Sequence, residues 1–242
     1  MLYLTGFHAI EERIKSGKAA GPLLAAKAGP RARELIALAV EHKIRVDRTG
    51  TYELDRLAPD HRGIVLLVED PGSPAGDLSL EGFLDGLGDR ADVLVAVLDE
   101  ITDPHNYGAI LRSCDQFGVD LVLTRNRRIA KHGEVIARTS AGAAAWVPIA
   151  ETANLIRAVQ DLKDRGFWIY GADMAGEPVY ARDLRGRAAL ILGGEGTGIS
   201  RLLRESCDAL VAIPSKGKID SLNVSVAAGV LFYEIVRQRA KH

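Results

Sequence analysis

A glycine-rich loop, Gly193-Gly194-Glu195-Gly196-Thr197-Gly198, follows the apolar run Ala188–Leu192 and decides how this sequence is interpreted. The run predicts a buried strand, and the glycines let the backbone after it approach a ligand closely. Neither the dinucleotide fingerprint nor the phosphate loop fits, because the glycine spacing of the first and the Lys-Ser or Lys-Thr pair of the second are missing. A tight strand-to-helix turn capped by Ser200 is the ordinary alternative.

Short apolar runs alternate with amphipathic helical patterns on both sides of this loop. This alternation predicts an α/β fold with a mostly parallel sheet that is covered on both faces. Ligands of such sheets bind beyond the carboxyl ends of the strands. The predicted strands are Val93–Leu98, Leu121–Leu123, Trp146–Ile149, Phe167–Gly171, Ala188–Leu192 and Leu210–Ile213, and the predicted helices are Asn106–Phe117, Gly133–Ser140, Ala153–Arg165, Ser200–Cys207 and Val224–Arg239.

Two further predicted strands end in polar side chains of unusual chemistry. After the first strand, Asn106 can cap a helix, and Arg112 offers a guanidinium fork for phosphate. After the last strand, Ser221 can cap the final helix, and Asn223 lies just beyond it. Ordinary roles explain each residue separately, because Asn106, Ser221 and Asn223 can be helix caps and Arg112 can be a surface arginine. Three such ends on one parallel sheet together favour a binding site at its carboxyl edge.

The composition divides the chain into two parts. The sequence predicts a small α/β module at residues 1–70 and a larger sheet domain at residues 92–242. Between them, residues 71–91 are predicted to form a linker rich in turn formers. A short helical stretch, Leu80–Leu87, falls inside the linker. The predicted helices of the module are His8–Lys15, Ala32–His42 and Tyr52–Leu57, and its predicted strands are Leu23–Ala26, Ile44–Val46 and Val65–Val68.

The charge and cysteine totals argue against a strongly basic nucleic-acid binder, a cysteine metal site and a disulfide-rich protein. Lys and Arg number 31 against 32 Asp and Glu, so the net charge of −1 lacks the basic footprint of many nucleic-acid binders. Two cysteines, Cys114 and Cys207, give neither a metal spacing nor a disulfide framework, so no metal is expected. Without a signal-peptide pattern or a long apolar stretch, we expect a soluble cytoplasmic protein with no membrane partner.

The three strand ends resemble the three motifs of the TrmH/SpoU branch of the SPOUT methyltransferases, which methylate ribose 2′-hydroxyls of RNA. Asp103–Arg112 resembles motif 1, Leu192–Gly198 motif 2 and Ile213–Ala227 motif 3, while Ser140–Ala143 is similar to a further signature. Gly6–Glu11 resembles the opening of the L30-like substrate-binding module of the ribosomal RNA members. The whole layout is most similar to the bacterial 23S ribosomal RNA guanosine 2′-O-methyltransferases.

This resemblance implies the fold, the cofactor and the reaction. The expected fold is a C-terminal SPOUT domain with a parallel sheet and a deep trefoil knot, preceded by a small L30e-like α/β domain. The expected reaction moves a methyl group from S-adenosylmethionine to a ribose 2′-hydroxyl, with guanosine in 23S ribosomal RNA as the target and a homodimer as the active form. The alternatives are a tRNA ribose 2′-O-methyltransferase and a non-catalytic RNA-binding or ribosome-assembly factor.

The resemblance also implies roles for individual residues. Because a guanidinium stays protonated in proteins, we expect Arg112 to hold a phosphate and not to act as a base. One departure from the family pattern is Ser215-Lys216, which stands where relatives have an apolar residue after Ile-Pro. The implied catalytic residues are Arg112, Asn106, Glu195, Ser221 and Asn223, and the implied cofactor-binding residues are Gly171, Gly193, Gly194, Gly196, Ile213 and Leu222.

A local basic run offers the RNA contacts that the total charge does not suggest. Phosphate contacts supply much of the affinity for RNA, and a local patch provides them in a protein of neutral sum. A solvated loop is the alternative explanation. The expected RNA-binding residues are Arg125, Arg127, Arg128 and Lys131 in the run, with Lys216 and Lys218 in the motif 3 loop.

Removing charge from the basic run tests this expectation. The double variant Arg127→Ala with Arg128→Ala is expected to bind RNA more weakly and to lower the salt slope of binding by about two, one for each lost phosphate contact. Filter binding over a range of salt concentrations measures both quantities. The control removes two charges elsewhere, Arg182→Ala with Arg185→Ala, and an equal slope for both double variants would contradict the patch.

Overall fold

The computed structural model describes residues 2–68, without residues 16, 18, 20, 27, 28, 59 and 60, together with residues 78–125, 133–217 and 221–240. The chain divides into two compact units, Met1–Gly76 and Asp77–His242. Helix α4 (Leu80–Asp85) belongs to the second unit, where Leu84 and Leu87 are buried in its core. The predicted linker therefore extended too far, because residues 80–87 pack and do not merely connect.

The first unit is a four-stranded mixed sheet with helices. Strand β4 pairs antiparallel with β1 and β2, and β2 pairs parallel with β3, in the order β1-β4-β2-β3. The first strand was missed, and the strand predicted at Ile44–Val46 lies two residues later. The bounds are β1 (Leu2–Leu4), α1 (Phe7–Lys15), β2 (Leu23–Ala25), α2 (Pro30–Glu41), β3 (Val46–Arg48), α3 (Thr51–Leu57) and β4 (Ile64–Val68).

The second unit is a six-stranded parallel sheet, as the alternating pattern predicted. Its order is β10-β8-β9-β5-β6-β7, so the carboxyl ends of β8, β9, β10 and β5 lie along one edge. The strands are β5 (Val93–Asp99), β6 (Leu121–Thr124), β7 (Ile149–Glu151), β8 (Trp168–Pro178), β9 (Arg187–Gly193) and β10 (Ala209–Ala212), and the helices after α4 are α5 (Pro104–Gln116), α6 (Gly133–Thr139), α7 (Leu155–Asp164), α8 (Arg201–Glu205) and α9 (Val224–Arg239).

Both faces of this sheet are buried. Every residue of β5 is buried, and alternate side chains enter two separate apolar clusters. Leu98 packs in the cluster that contains Leu111 of α5 and Phe232 of α9, whereas Val97 packs in the cluster that contains Leu162 of α7. Continuous apolar strands are what two-sided burial requires. In the described part of the chain, no helix is both long and apolar enough to cross a membrane.

Two of the predicted strands differ from the structure. The segment predicted as Trp146–Ile149 begins with a 3₁₀ turn, Ala143–Ala145, and the strand itself starts at Ile149. Trp146 follows the 3₁₀ turn outside the sheet, and its indole N–H donates to Asp115 of α5 at 2.5 Å.

Strand β8 continues beyond its predicted end at Gly171. Its pairing with β10 shifts register between Leu210 and Val211, which pair with Gly171 and Glu177. A Cβ at Gly176 would lie 2.5 Å from the carbonyl carbon of Leu210, so only glycine permits this close approach.

Candidate active site

Three side chains from three different strand ends form one hydrogen-bonded cluster. The amide Nδ2 of Asn106 donates to Glu195 Oε1 at 2.7 Å. The amide Nδ2 of Asn223 donates to the same oxygen at 2.8 Å and to Asn106 Oδ1 at 2.9 Å. We call these three residues the amide–carboxylate triad. The structure therefore brings together three of the five predicted catalytic residues.

Helix capping orients the two amides of the triad, but not in the way that the sequence predicted. Asp103 caps α5, and its two carboxylate oxygens accept from the backbone N–H groups of His105 and Asn106 at 3.2 Å. The prediction of Asn106 as the cap was wrong, and its side chain, buried with 8% exposure, is free to reach Glu195. Asn223, and not Ser221, caps α9.

The glycine-rich loop folds back on itself and carries Glu195 at its tip. Gly194 and Gly198 form an antiparallel bridge. A Cβ at Gly193 would lie 2.1 Å from the carbonyl carbon of Gly198, so no larger residue fits at that position. Gly196 takes a φ of +80°, which glycine adopts without strain. These contacts give the loop the tight turn that its glycines predicted.

A buried carboxylate that sequence reasoning missed ties this loop to the centre of the sheet. Asp99, the last residue of β5, is 1% exposed, and its Oδ2 accepts from the backbone N–H of Ser200 at 2.8 Å. Ser200 occupies the N-cap position of α8, as predicted, but its side chain makes no cap hydrogen bond. The available signal was a charged residue at the end of a seven-residue strand whose other six residues are apolar.

A cleft of 610 Å³ opens beside the triad. Leu98, Ile101 and Val224 contribute apolar lining. Arg125 and Glu100 also line the cleft, where the guanidinium lies 3.4 Å from the carboxylate. Arg125 therefore shares a cavity with Asn106 and Glu195. The mixture of apolar and polar lining is typical of a site for an organic ligand.

The remaining predicted catalytic residues lie apart from the triad. Arg112 is exposed on α5, six residues beyond Asn106, and at about 100° per residue the two side chains leave the helix in different directions. In the described part of the chain, no hydrogen bond joins Arg112 to the triad. Ser221 is exposed and precedes the cap of α9 by two residues.

The predicted cofactor residues lie along the same sheet edge. Gly171 and Gly193 sit on the adjacent strands β8 and β9, and Ile213 follows β10, which pairs with β8 on its other side. A Cβ at Gly171 would lie 2.8 Å from Cys207 Sγ. Burial raises the pKa of this thiol to about 11, so Cys207 remains a neutral, weakly polar wall at physiological pH.

The predicted RNA-binding residues fall into two groups. Arg125 is described, and Lys216 is exposed in the segment after β10. Arg127, Arg128, Lys131 and Lys218 lie outside the described residues. Among the residues that the structure describes, no cluster of three His, Cys, Asp or Glu side chains could hold a metal ion.

Comparison with known proteins identifies two matching families, one for each part of the chain. The profile of the SpoU rRNA Methylase family matches residues 93–233. The profile described as RNA 2′-O ribose methyltransferase substrate binding matches residues 3–74. The first match covers more than half of the 242-residue chain.

Similar proteins match over nearly the whole sequence. The 23S rRNA (guanosine-2′-O-)-methyltransferase RlmB of Pseudomonas putida is 40% identical over 212 residues, which cover 87% of this chain and 84% of the relative. RlmB of Xanthomonas campestris pv. campestris is 43% identical over the same shares of the two chains. The SpoU methyltransferase AviRb from Streptomyces viridochromogenes, solved with AdoMet, superposes with a TM-score of 0.76 at 27% identity, covering 100% of this chain and 91% of AviRb.

The close approach at Gly193 predicts a stability cost for any side chain there. Gly193→Ala forces a Cβ against the backbone of Gly198 and Ile199, and is expected to lower the free energy of unfolding by about 3 kcal/mol or more. Urea denaturation measures the change. Gly133→Ala is the control, because its Cβ would meet nothing within 4 Å. Equal midpoints for the two variants would contradict the packing of the loop.

Proposed function

The chain belongs to the SpoU rRNA methylase family, and from this premise we propose that it methylates the ribose 2′-hydroxyl of a guanosine in 23S ribosomal RNA. It is an S-adenosylmethionine-dependent RNA methyltransferase. The observation that carries the assignment is the amide–carboxylate triad of Asn106, Glu195 and Asn223 beside a 610 Å³ cleft. A non-catalytic RNA-binding or assembly factor would have no need of such a triad.

The extent of the similarity supports ribosomal RNA over tRNA as the substrate. The two RlmB relatives match 87% of this chain. The A. aeolicus TrmH/SpoU tRNA modifying enzyme, at 30% identity and a TM-score of 0.57, covers only 67% of it. The substrate-binding profile matches residues 3–74, so we assign RNA binding to the module at residues 1–70 and methyl transfer to residues 92–242.

The lining of the cleft at this sheet edge suits S-adenosylmethionine in polarity. Gly193 ends β9, Gly171 lies within the neighbouring strand β8, and the cleft combines apolar side chains with polar groups, as sites for organic cofactors do. When bound, the cofactor supplies a methyl group on a positively charged sulfur. We propose that Gly171, Gly193, Gly194, Gly196, Ile213 and Leu222 hold it, and we propose no metal.

The predicted catalytic residues have distinct parts in the proposed reaction. The carboxyl group of Glu195 lies beside the proposed ribose site, and Asn106 and Asn223 hold it by donating to one of its oxygens. Arg112 remains protonated, so its proposed part is to hold the phosphate next to the target ribose and to stabilise the emerging alkoxide. Ser221 is proposed to position the same ribose.

A homodimer would bring Arg112 to a triad that its own chain does not reach. Val226, Val230 and Tyr233 form an exposed apolar stripe along one face of α9, at spacings of four and three residues. Helix α5, which carries Arg112, packs against α9. We infer that this stripe meets the same surface of a second copy, and that Arg112 of the partner subunit completes each site.

We propose that this sheet edge carries the deep trefoil knot that the family resemblance implies. The proposal is supported by the meeting at one edge of the loop after β9 with Asn223, which follows β10 and contacts Asn106 and Glu195. Ribosomal RNA is made and assembled in the bacterial cytoplasm, so we expect the protein to act there.

The proposed contacts to RNA phosphates are Arg125, Arg127, Arg128, Lys131, Lys216 and Lys218.

Replacement of the phosphate-holding arginine tests the function directly. Arg112→Ala is expected to lower the rate of methyl transfer to unmethylated 23S ribosomal RNA by about 100-fold or more, because alkoxide stabilisation is lost. The dissociation constant of S-adenosylmethionine, measured by calorimetry, is expected to stay within about twofold. Arg157→Ala, an exposed arginine on α7, is the control. Wild-type turnover in the Arg112 variant would contradict the assignment.

A charge on the apolar stripe tests the dimer. Val226→Asp is expected to give a monomer at micromolar concentration, because an unpaired charge in an apolar interface is costly. Sedimentation velocity measures the mass, and the methyl-transfer assay is expected to show a parallel loss of activity. Val40→Asp, an exposed position in the first unit, is the matched control. A fully active monomer would refute the shared site.

A further inference from the structure

Ser225, to which neither the motifs nor the proposed function assigns a part, contacts the triad through Asn223. Its hydroxyl donates to Asn223 Oδ1 at 2.6 Å, and its backbone N–H donates to the same oxygen at 2.9 Å. The backbone N–H of Val226 adds a longer bond of 3.4 Å. Because backbone N–H groups donate only to acceptors, the side-chain oxygen of Asn223 must face the helix and its NH₂ group must face away.

This orientation uses all the hydrogen-bonding capacity of Asn223. Its two amide hydrogens go to Asn106 Oδ1 and Glu195 Oε1. Its oxygen accepts from Ser225 and Val226. An amide has two donors and one acceptor oxygen, so Asn223 has no donor left for a substrate. Its contribution to the reaction must therefore pass through its neighbours.

The neighbour that receives this contribution is Glu195. Its Oε1 accepts from both Asn106 and Asn223, whereas Oε2 accepts no hydrogen bond in the described part of the chain. Two donors on one oxygen restrict the orientation of the carboxylate, although Glu195 sits on an exposed loop of glycines. The other oxygen then keeps a fixed direction at the cleft that Glu195 lines.

We propose that Ser225 is a positioning residue of the methyl-transfer reaction. Its hydroxyl aligns the amide of Asn223, which aligns the Glu195 carboxylate and leaves Oε2 to accept a hydrogen bond from the ribose hydroxyl. This inference rests on the proposed function, and it makes Asn223 a positioning residue as well. A helix-capping role alone does not require the hydroxyl, because the backbone N–H groups of Ser225 and Val226 already satisfy the cap.

Two substitutions at Ser225 distinguish the contribution of its hydroxyl from that of the helix cap. Ser225→Ala removes the hydroxyl and keeps both backbone bonds to Asn223, whereas Ser225→Thr keeps the hydroxyl. The control, Ser79→Ala, removes a hydroxyl that accepts from Gly82 N at the start of α4. Methyl transfer from radiolabelled S-adenosylmethionine to an unmethylated 23S ribosomal RNA transcript gives kcat and KM, calorimetry gives the cofactor affinity, and thermal unfolding gives Tm.

The expected result is a loss in kcat alone. Ser225→Ala is expected to lower kcat about tenfold, the effect of one neutral hydrogen bond, with KM for RNA, cofactor affinity and Tm close to wild type. Ser225→Thr is expected to restore at least half of kcat, and Ser79→Ala to lower Tm without changing kcat. A purely structural role would lower Tm and leave kcat unchanged.

The outcomes distinguish this inference from the function on which it rests. A wild-type protein that binds cofactor but methylates no 23S transcript would overturn the proposed function. An active wild type with an unchanged kcat in Ser225→Ala would overturn only the part assigned to Ser225. A threonine variant as slow as the alanine variant would do the same, because the hydroxyl would then not be the cause.

Discussion

The carboxyl edge of the parallel sheet is organised by hydrogen bonds to one oxygen atom, Glu195 Oε1. It accepts from amides that begin two different helices, α5 and α9, while its own residue lies on the loop between β9 and α8. A carboxylate on an exposed glycine-rich loop has no preferred direction of its own. The two amides give it one, and the caps of Asp103 and Asn223 in turn hold those amides.

The side chains at the carboxyl edge can be held in fixed positions because the sheet that carries them is rigid. Strand β5 is buried along its whole length, and its two faces pack in separate apolar clusters. Close-packed interiors have low compressibility, so the ends of β5 and β9 provide fixed anchor points for the loops that follow. Asp99 extends this anchorage to the glycine-rich loop by accepting from Ser200 N.

The sequence was sufficient to predict the architecture, because two-sided burial leaves continuous apolar runs that are easily recognised. It also located the three members of the triad, since parallel strands end at a common edge. The caps were assigned to the wrong residues. Asn106 and Ser221 are plausible caps by residue type, but Asp103 and Asn223 take that part once the tertiary contacts compete.

Features that depend on contacts between distant parts of the sequence could not be predicted from the sequence. Asp99 gave no periodic signal, and its partner Ser200 is 101 residues away. The extension of β8 depends on the close approach of Gly176 to Leu210, which no local pattern encodes. Arg112 occupies a motif position, but among the described residues no hydrogen bond joins it to the triad, and the sequence pattern alone gave no signal of this separation.

The long sequence separation within the triad bears on how the protein acquires activity during its synthesis. Asn106 and Asn223 are 117 residues apart, and Asn223 begins the last helix of the sheet domain. Closing so long a loop is entropically costly and tends to be late in folding. A nascent chain that has not yet released residue 223 from the ribosome cannot place Asn223 against Glu195, so the triad forms only after that residue has emerged.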